Sequence, residues 1–169
     1  MHLIITAPNS ATWNNRTLPC ATGRNGFAAA RDKTEGDGKT PIGRWQMREV
    51  FYRADKIKDI PTRLPVRAIE PNDGWCDAPT DKNYNRRVDL PYPASAENLW
   101  REDHLYDIVV VLAYNDDPPI AGKGSAIFLH VAPNGFAPTV GCVTLSREDL
   151  LAVLRDAGKD SAVVVNPGL

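Results

Sequence analysis

Residues Ser125 to Leu145 read S-A-I-F-L-H-V-A-P-N-G-F-A-P-T-V-G-C-V-T-L and hold one of the chain's three histidines and one of its three cysteines. Ser125 to Ala132 is apolar at both phases of a two-residue period, the pattern of a strand buried on both faces. His130 interrupts it. By alternation His130 shares a face with Ala126 and Phe128, which brings its imidazole out near the strand end, just before the turn signal Pro133-Asn134-Gly135. A second strand starts at Gly141-Cys142 and runs through Val143-Thr144-Leu145. Glycine beside the cysteine leaves room for a substrate carbonyl to reach both the sulfur and the neighbouring backbone N–H groups. A thiol needs a base to become a nucleophile at neutral pH, and an imidazole on an adjacent strand can supply one. Two readings fit these residues: a small buried hydrophobe beside a core histidine, or a Cys–His pair for acyl transfer.

The remaining cysteines sharpen the choice of nucleophile. Cys20 lies in Leu18-Pro19-Cys20 and Cys76 in Trp75-Cys76-Asp77, neither with a neighbouring glycine or histidine. Positions 20, 76 and 142 form no even disulfide framework and no C-x-x-C metal pair. Cys142 is therefore the reactive candidate, and no metal ligand set is read. With 20 Lys plus Arg against 21 Asp plus Glu, the charge is balanced, which argues against nucleic acid and membrane surfaces as partners. No apolar run nears the roughly 20 residues that a membrane span needs. The opening Met1-His2-Leu3-Ile4-Ile5-Thr6 has no basic region and reads as a first strand rather than a signal peptide.

At 169 residues the chain fits one domain, residues 1–169, that buries roughly two thirds of its unfolded surface. Fourteen prolines and twelve glycines favour short elements and many turns. Leu3 to Thr6, one or two segments in Ala11 to Cys20, Arg44 to Arg53, Leu64 to Ile69, Ile108 to Ala113 and Ala162 to Val165 read as strands. The continuous apolar run Ile108 to Ala113 is a central strand that should neighbour the one carrying His130. One helix is clear: Ser146-Arg147-Glu148-Asp149 starts it, Leu150, Leu151, Val153 and Leu154 give it an apolar face, and Gly158 stops it. Periodicity alone thus supports a strand-rich α+β fold.

Two polar segments carry no period. Thr34 to Lys39 is a glycine-rich loop, either a tight turn or a substrate contact, and it lacks the phosphate-loop spacing. Residues 70–104 form a long aperiodic insertion containing Trp75, Tyr84, Tyr92 and Trp100. One reading makes it a lid over the Cys142 cleft, with Trp75, Tyr84, Asn85 and Arg86 binding substrate; the other makes it a packed insertion. His104, among Arg101, Glu102 and Asp103, reads as solvated.

Thr139-Val140-Gly141-Cys142-Val143-Thr144-Leu145 resembles the cysteine motif of the L,D-transpeptidase catalytic domain family (YkuD-type), with an upstream strand histidine matching His130. Gly36-Asp37-Gly38-Lys39-Thr40-Pro41-Ile42-Gly43 is similar to the G-x-G-x-T-P-x-G turn of the same family. The chain departs at Val140, where many members have histidine, and at Thr144, where many have arginine, the marks of a divergent branch. The resemblance implies a mainly β fold, a curved sheet or sandwich of short mixed strands with one C-terminal helix and a long insertion loop. It implies catalytic roles for Cys142 as nucleophile and His130 as base, with the N–H groups of Gly141 and Cys142 as oxyanion donors. The implied reaction is acyl transfer on peptidoglycan stem peptides, by crosslinking or D-amino-acid exchange, without a cofactor or metal, and with carbapenems as covalent acyl donors. A hydrolase of the same chemistry and a non-catalytic cell-wall peptide binding module are the alternatives. The family implies the cell envelope or periplasm; the lack of a read signal peptide keeps the cytoplasm open.

Overall fold

A computed structural model describes residues 1–7 and 9–168. In chain order the strands are β1 (His2–Thr6), β2 (Ser10–Trp13), β3 (Arg16–Pro19), β4 (Phe27–Ala29), β5 (Thr40–Tyr52), β6 (Val66–Ala68), β7 (Asp73–Cys76), β8 (Arg87–Asp89), β9 (Ala96–Asn98), β10 (Ile108–Leu112), β11 (Phe128–Val131), β12 (Val143–Leu145) and, after the helix α1 (Arg147–Asp156), β13 (Ala162–Val165). The fold is mainly β, as the family resemblance implies. The main sheet runs β12-β11-β10-β5-β13-β1-β2-β3, with β4 and β6 also on β5. β5 is the long spine: Gly43 to Gln46 pair with β13, and Met47 to Tyr52 pair with β10. Past β3 the chain returns to the opposite edge, where Ala21 and Thr144 exchange backbone hydrogen bonds at 3.3 and 3.0 Å. The sheet is thereby curved and nearly closed.

Burial follows from alternation. Leu129 and Val131 of β11 enter the main core with Ile108, Val110 and Leu112 of β10 and with Leu150, Val153 and Leu154 of α1. Phe128 turns to the other face, into a second cluster with Phe51, Trp75, Leu99, Tyr106, Val109 and Val111. Both faces of β10 are thus covered, which is why its sequence is apolar without a break. Ser146 caps α1 by accepting from the Asp149 N–H at 3.1 Å, a cap of about 1 kcal/mol. The helix ends at Asp156, and Ala157 is already extended.

Residues 70–104 depart from the aperiodic loop expected of them. They contain a three-stranded antiparallel sheet, β8-β7-β9, seated over the second cluster. Each strand has three or four residues, too few for a two-residue period to stand out. The strand expected over Leu64 to Ile69 narrows to β6, because Pro65 lacks the N–H a ladder requires.

Candidate active site

β11 and β12 are adjacent and parallel, with Leu129 opposite Val143 and His130 opposite Thr144. This register sets Cys142 beside Phe128 and on the face that carries His130. Cys142 and His130 line one cleft of about 530 Å³, walled by Lys33, Glu35, Asp77, Glu97, Arg101 and Tyr106. The Pro133 to Thr139 turn and Val140 form its other side.

The Cys142 and His130 side chains are not hydrogen-bonded to each other. The Cys142 thiol donates to the Ala126 carbonyl at 3.2 Å and accepts from the Phe128 N–H at 3.5 Å. Burial pushes this thiol up to about 12, against a smaller opposing pull from the Phe128 N–H. His130 is 5% exposed, and burial lowers it to about 4. Its Nδ1 lies 2.9 Å from the Val131 carbonyl. A carbonyl only accepts, so Nδ1 carries the proton and Nε2 is the basic atom, with the Leu105 backbone also close to the ring. Tyr106 packs edge-on against the imidazole at 5.1 Å and donates to Glu97 Oε1 at 2.6 Å. A neutral thiol beside a neutral imidazole is the resting state at neutral pH. With the thiol pushed up to about 12, the sulfur keeps its proton at pH 7.

The glycine-rich loop supports the segment that carries Cys142. Thr40 Oγ1 donates to the Gly141 carbonyl at 2.9 Å and accepts from the Gly23 N–H at 2.8 Å. Gly141 has φ 141°, and a Cβ there would sit 2.9 Å from the Lys39 carbonyl oxygen, so only glycine passes between the loop and Cys142. Asp37 shapes the loop by accepting from the Thr34 and Lys39 N–H groups at 3.0 and 2.9 Å and from buried Lys33 at 2.8 Å. The loop is a tight turn, and Glu35 and Gly36 line the cleft.

The two N–H groups expected as oxyanion donors differ in their partners. The Gly141 N–H donates to Thr139 Oγ1 at 3.0 Å, and that hydroxyl donates to the Cys142 carbonyl at 2.7 Å. Of the two expected donors, the Cys142 N–H is the one without a partner among the described residues. Thr144 is fully buried in β12, paired with His130. Val140 is 61% exposed at the cleft mouth.

Trp75, Tyr84, Asn85 and Arg86 do not line the cleft. Trp75 packs edge-on against Phe128 at 5.1 Å, with its indole N–H donating to Asn85 at 2.9 Å. Tyr84 is buried, and its hydroxyl donates to Glu35 at 2.5 Å. Asn85 is buried, and exposed Arg86 opens with Trp75 and Asn85 onto a separate cavity beside Arg48 and Glu49. The insertion reaches the cleft through Asp77, Glu97 and Arg101 instead. No sequence signal marked those three: Glu97 lies on β9, too short to show which side chains share a face, and Asp77 and Arg101 lie outside the strands, where no period applies. His104, expected in solvent, is half-buried and bonds the Ala132 carbonyl at 3.1 Å. Among the described residues no cluster of His, Cys, Asp or Glu is arranged for a metal ion, and no helix is long and apolar enough to cross a membrane.

The profile of the L,D-transpeptidase catalytic domain (YkuD) matches residues 8–165. The chain belongs to this family. No curated protein matches it. As a family member it presents Cys142 and His130 in one cleft, backed by the Thr40 loop.

Proposed function

We propose that this L,D-transpeptidase family member is an acyltransferase acting on peptidoglycan stem peptides, with Cys142 as nucleophile and His130 as general base. The observation that carries the reading is the parallel β11–β12 pairing, which puts both residues on one face of one cleft. His130 Nε2 takes the thiol proton as sulfur attacks the carbonyl of an L-configured centre joined to a terminal D-residue. The oxyanion forms against the Cys142 N–H. The imidazolium then returns its proton to the departing D-amino acid amine, leaving a thioester on Cys142. An acceptor amine gives up a proton to His130 as it attacks the thioester, forming the new amide and restoring the thiol. Acidic Glu35, Asp77 and Glu97 with basic Lys33 and Arg101 give the cleft both charge signs, which suits a zwitterionic peptide. Such a substrate sets the reaction at the cell envelope.

Incubation with a stem tetrapeptide, followed by intact-protein and muropeptide mass spectrometry, tests this. A Cys142-linked acyl adduct and a crosslinked or D-amino-acid-exchanged product are expected. Tripeptide alone would assign hydrolysis. Absence of an adduct with both tetrapeptide and a carbapenem would move the assignment to peptide binding without catalysis.

A further inference from the structure

Asn85 sits where three segments meet. It is 4% exposed with φ 55°, and its side-chain amide makes four hydrogen bonds. Oδ1 accepts from the Trp75 indole N–H at 2.9 Å and from the Ala126 N–H at 3.0 Å. Nδ2 donates to the carbonyls of Tyr114 and Asn115 at 3.1 and 2.7 Å. Two N–H groups on one side and two carbonyls on the other fix the amide's orientation and satisfy it completely.

Ala126 is the residue whose carbonyl accepts the Cys142 thiol. It has φ 51°, a left-handed backbone that costs a residue with a Cβ about 1 kcal/mol or more. Alanine makes no side-chain hydrogen bond to hold that conformation. The bond from its N–H to Asn85 Oδ1 is what holds it, and Ser125 Oγ anchors the preceding residue by donating to Glu35 at 2.7 Å.

We propose that Asn85 is a positioning residue for the nucleophile, pinning Ala126 in its left-handed conformation so that the Ala126 carbonyl holds the resting Cys142 thiol. The inference rests on Cys142 being the nucleophile. The carbonyl accepts from S–H and repels S⁻, so it keeps the sulfur protonated until substrate displaces it toward His130. Without Asn85, Ala126 relaxes to a commoner backbone, its carbonyl turns away, and the sulfur loses both its orientation and the acceptor that favoured the thiol. The other charged and titratable groups lining the cleft, His130, Lys33, Glu35, Asp77, Glu97, Arg101 and Tyr106, make no side-chain hydrogen bond to Asn85.

The test is iodoacetamide alkylation of the full chain across pH 6 to 10, read by mass mapping of the peptide bearing Cys142, with Asn85→Ala and the milder Asn85→Ser in case the first does not fold. Alkylation of Cys142 should be at least about tenfold faster than in the parent at each pH, a displacement of one unit in the thiol profile. Turnover of stem tetrapeptide should lose kcat with KM little changed. A lowered melting temperature with an unchanged Cys142 profile would overturn the proposal, and so would Cys20 and Cys76 becoming reactive in step with Cys142, which reports general opening. Alkylation reads the thiol itself, so a Cys142→Ala protein that still turned over would sink the acyltransferase reading while leaving this result standing.

Discussion

Thr40 and Gly141 lie far apart in the chain and are joined by a 2.9 Å hydrogen bond from the threonine hydroxyl to the glycine carbonyl. The same hydroxyl accepts the Gly23 N–H, so one buried oxygen fastens the segment before Cys142 to two others. Thr40→Val keeps the volume and strands both partners. It should cost about 1–3 kcal/mol of stability and lower acylation of Cys142 in the protein that remains folded. Urea titration paired with acyl-adduct formation measures both, and parent-like acylation would deny the loop a part in holding the nucleophile.

Substitution of the cysteines separates chemistry from packing. Cys142→Ala should abolish the acyl adduct and leave the thermal transition near that of the parent, since the side chain is partly open to the cleft. Cys20→Ala and Cys76→Ala remove fully buried sulfurs and should lower stability with turnover nearly intact. Activity surviving Cys142→Ala would refute the nucleophile assignment.

His130 is the base to be tested next. General-base assistance is worth roughly 10²- to 10⁴-fold, and His130→Gln should slow acylation by about that factor. Adding Val140→His to His130→Gln should restore little, because Val140 points to solvent at the cleft mouth. Stopped-flow acylation by a carbapenem gives the rates; full rescue by Val140→His would mean that the cleft mouth can hold a working base and that the place of His130 on β11 is not required.

Burial of the two groups also predicts how stability responds to pH. Unfolded His130 titrates near 6.5 and folded His130 near 4, so the unfolded chain binds more protons between those values. Stability from this group is present above pH 6.5 and is lost as pH falls to about 4, by about 3 kcal/mol. Cys142 acts in the opposite sense. Its folded value is raised from 9.0 to about 12, so stability is present below pH 9 and declines above it. Denaturant titrations of the parent, His130→Gln and Cys142→Ala should show the acid limb flattening in the first variant and the alkaline limb in the second. Unaltered limbs would mean that neither group carries the dependence.

Much of the arrangement was legible in the chain. The unbroken apolar run Ile108 to Leu112 announced a strand covered on both faces, and alternation along β11 placed His130 on the face of Phe128. Ser146 and the leucines after it specified α1. Glycine before Cys142, read as room for a substrate, is needed as much for the close passage of the Lys39 carbonyl.

The insertion shows where sequence reading stopped. Trp75, Tyr84 and Asn85 were marked by their aromatic and polar character as contacts for a ligand, yet they form the layer behind the cleft wall, while Glu97 and Asp77, which nothing distinguished, form the wall. Side-chain direction in strands of three or four residues depends on which neighbour each strand pairs with, and that pairing is long-range.

By itself the sequence determined the local terms: which runs are buried, where the helix starts, that Cys142 alone among the cysteines stands beside a glycine, and that a histidine strand precedes it. These follow from side-chain chemistry and period over a few residues. The tertiary structure alone decided that the Cys142 thiol rests on Ala126 rather than on His130, that the Thr40 hydroxyl bonds the Gly141 carbonyl, and that Asn85 Oδ1 accepts the Ala126 N–H. Those outcomes depend on hydrogen bonds between residues brought together only when the sheet curves, and no local pattern encodes a partner that distant in the chain.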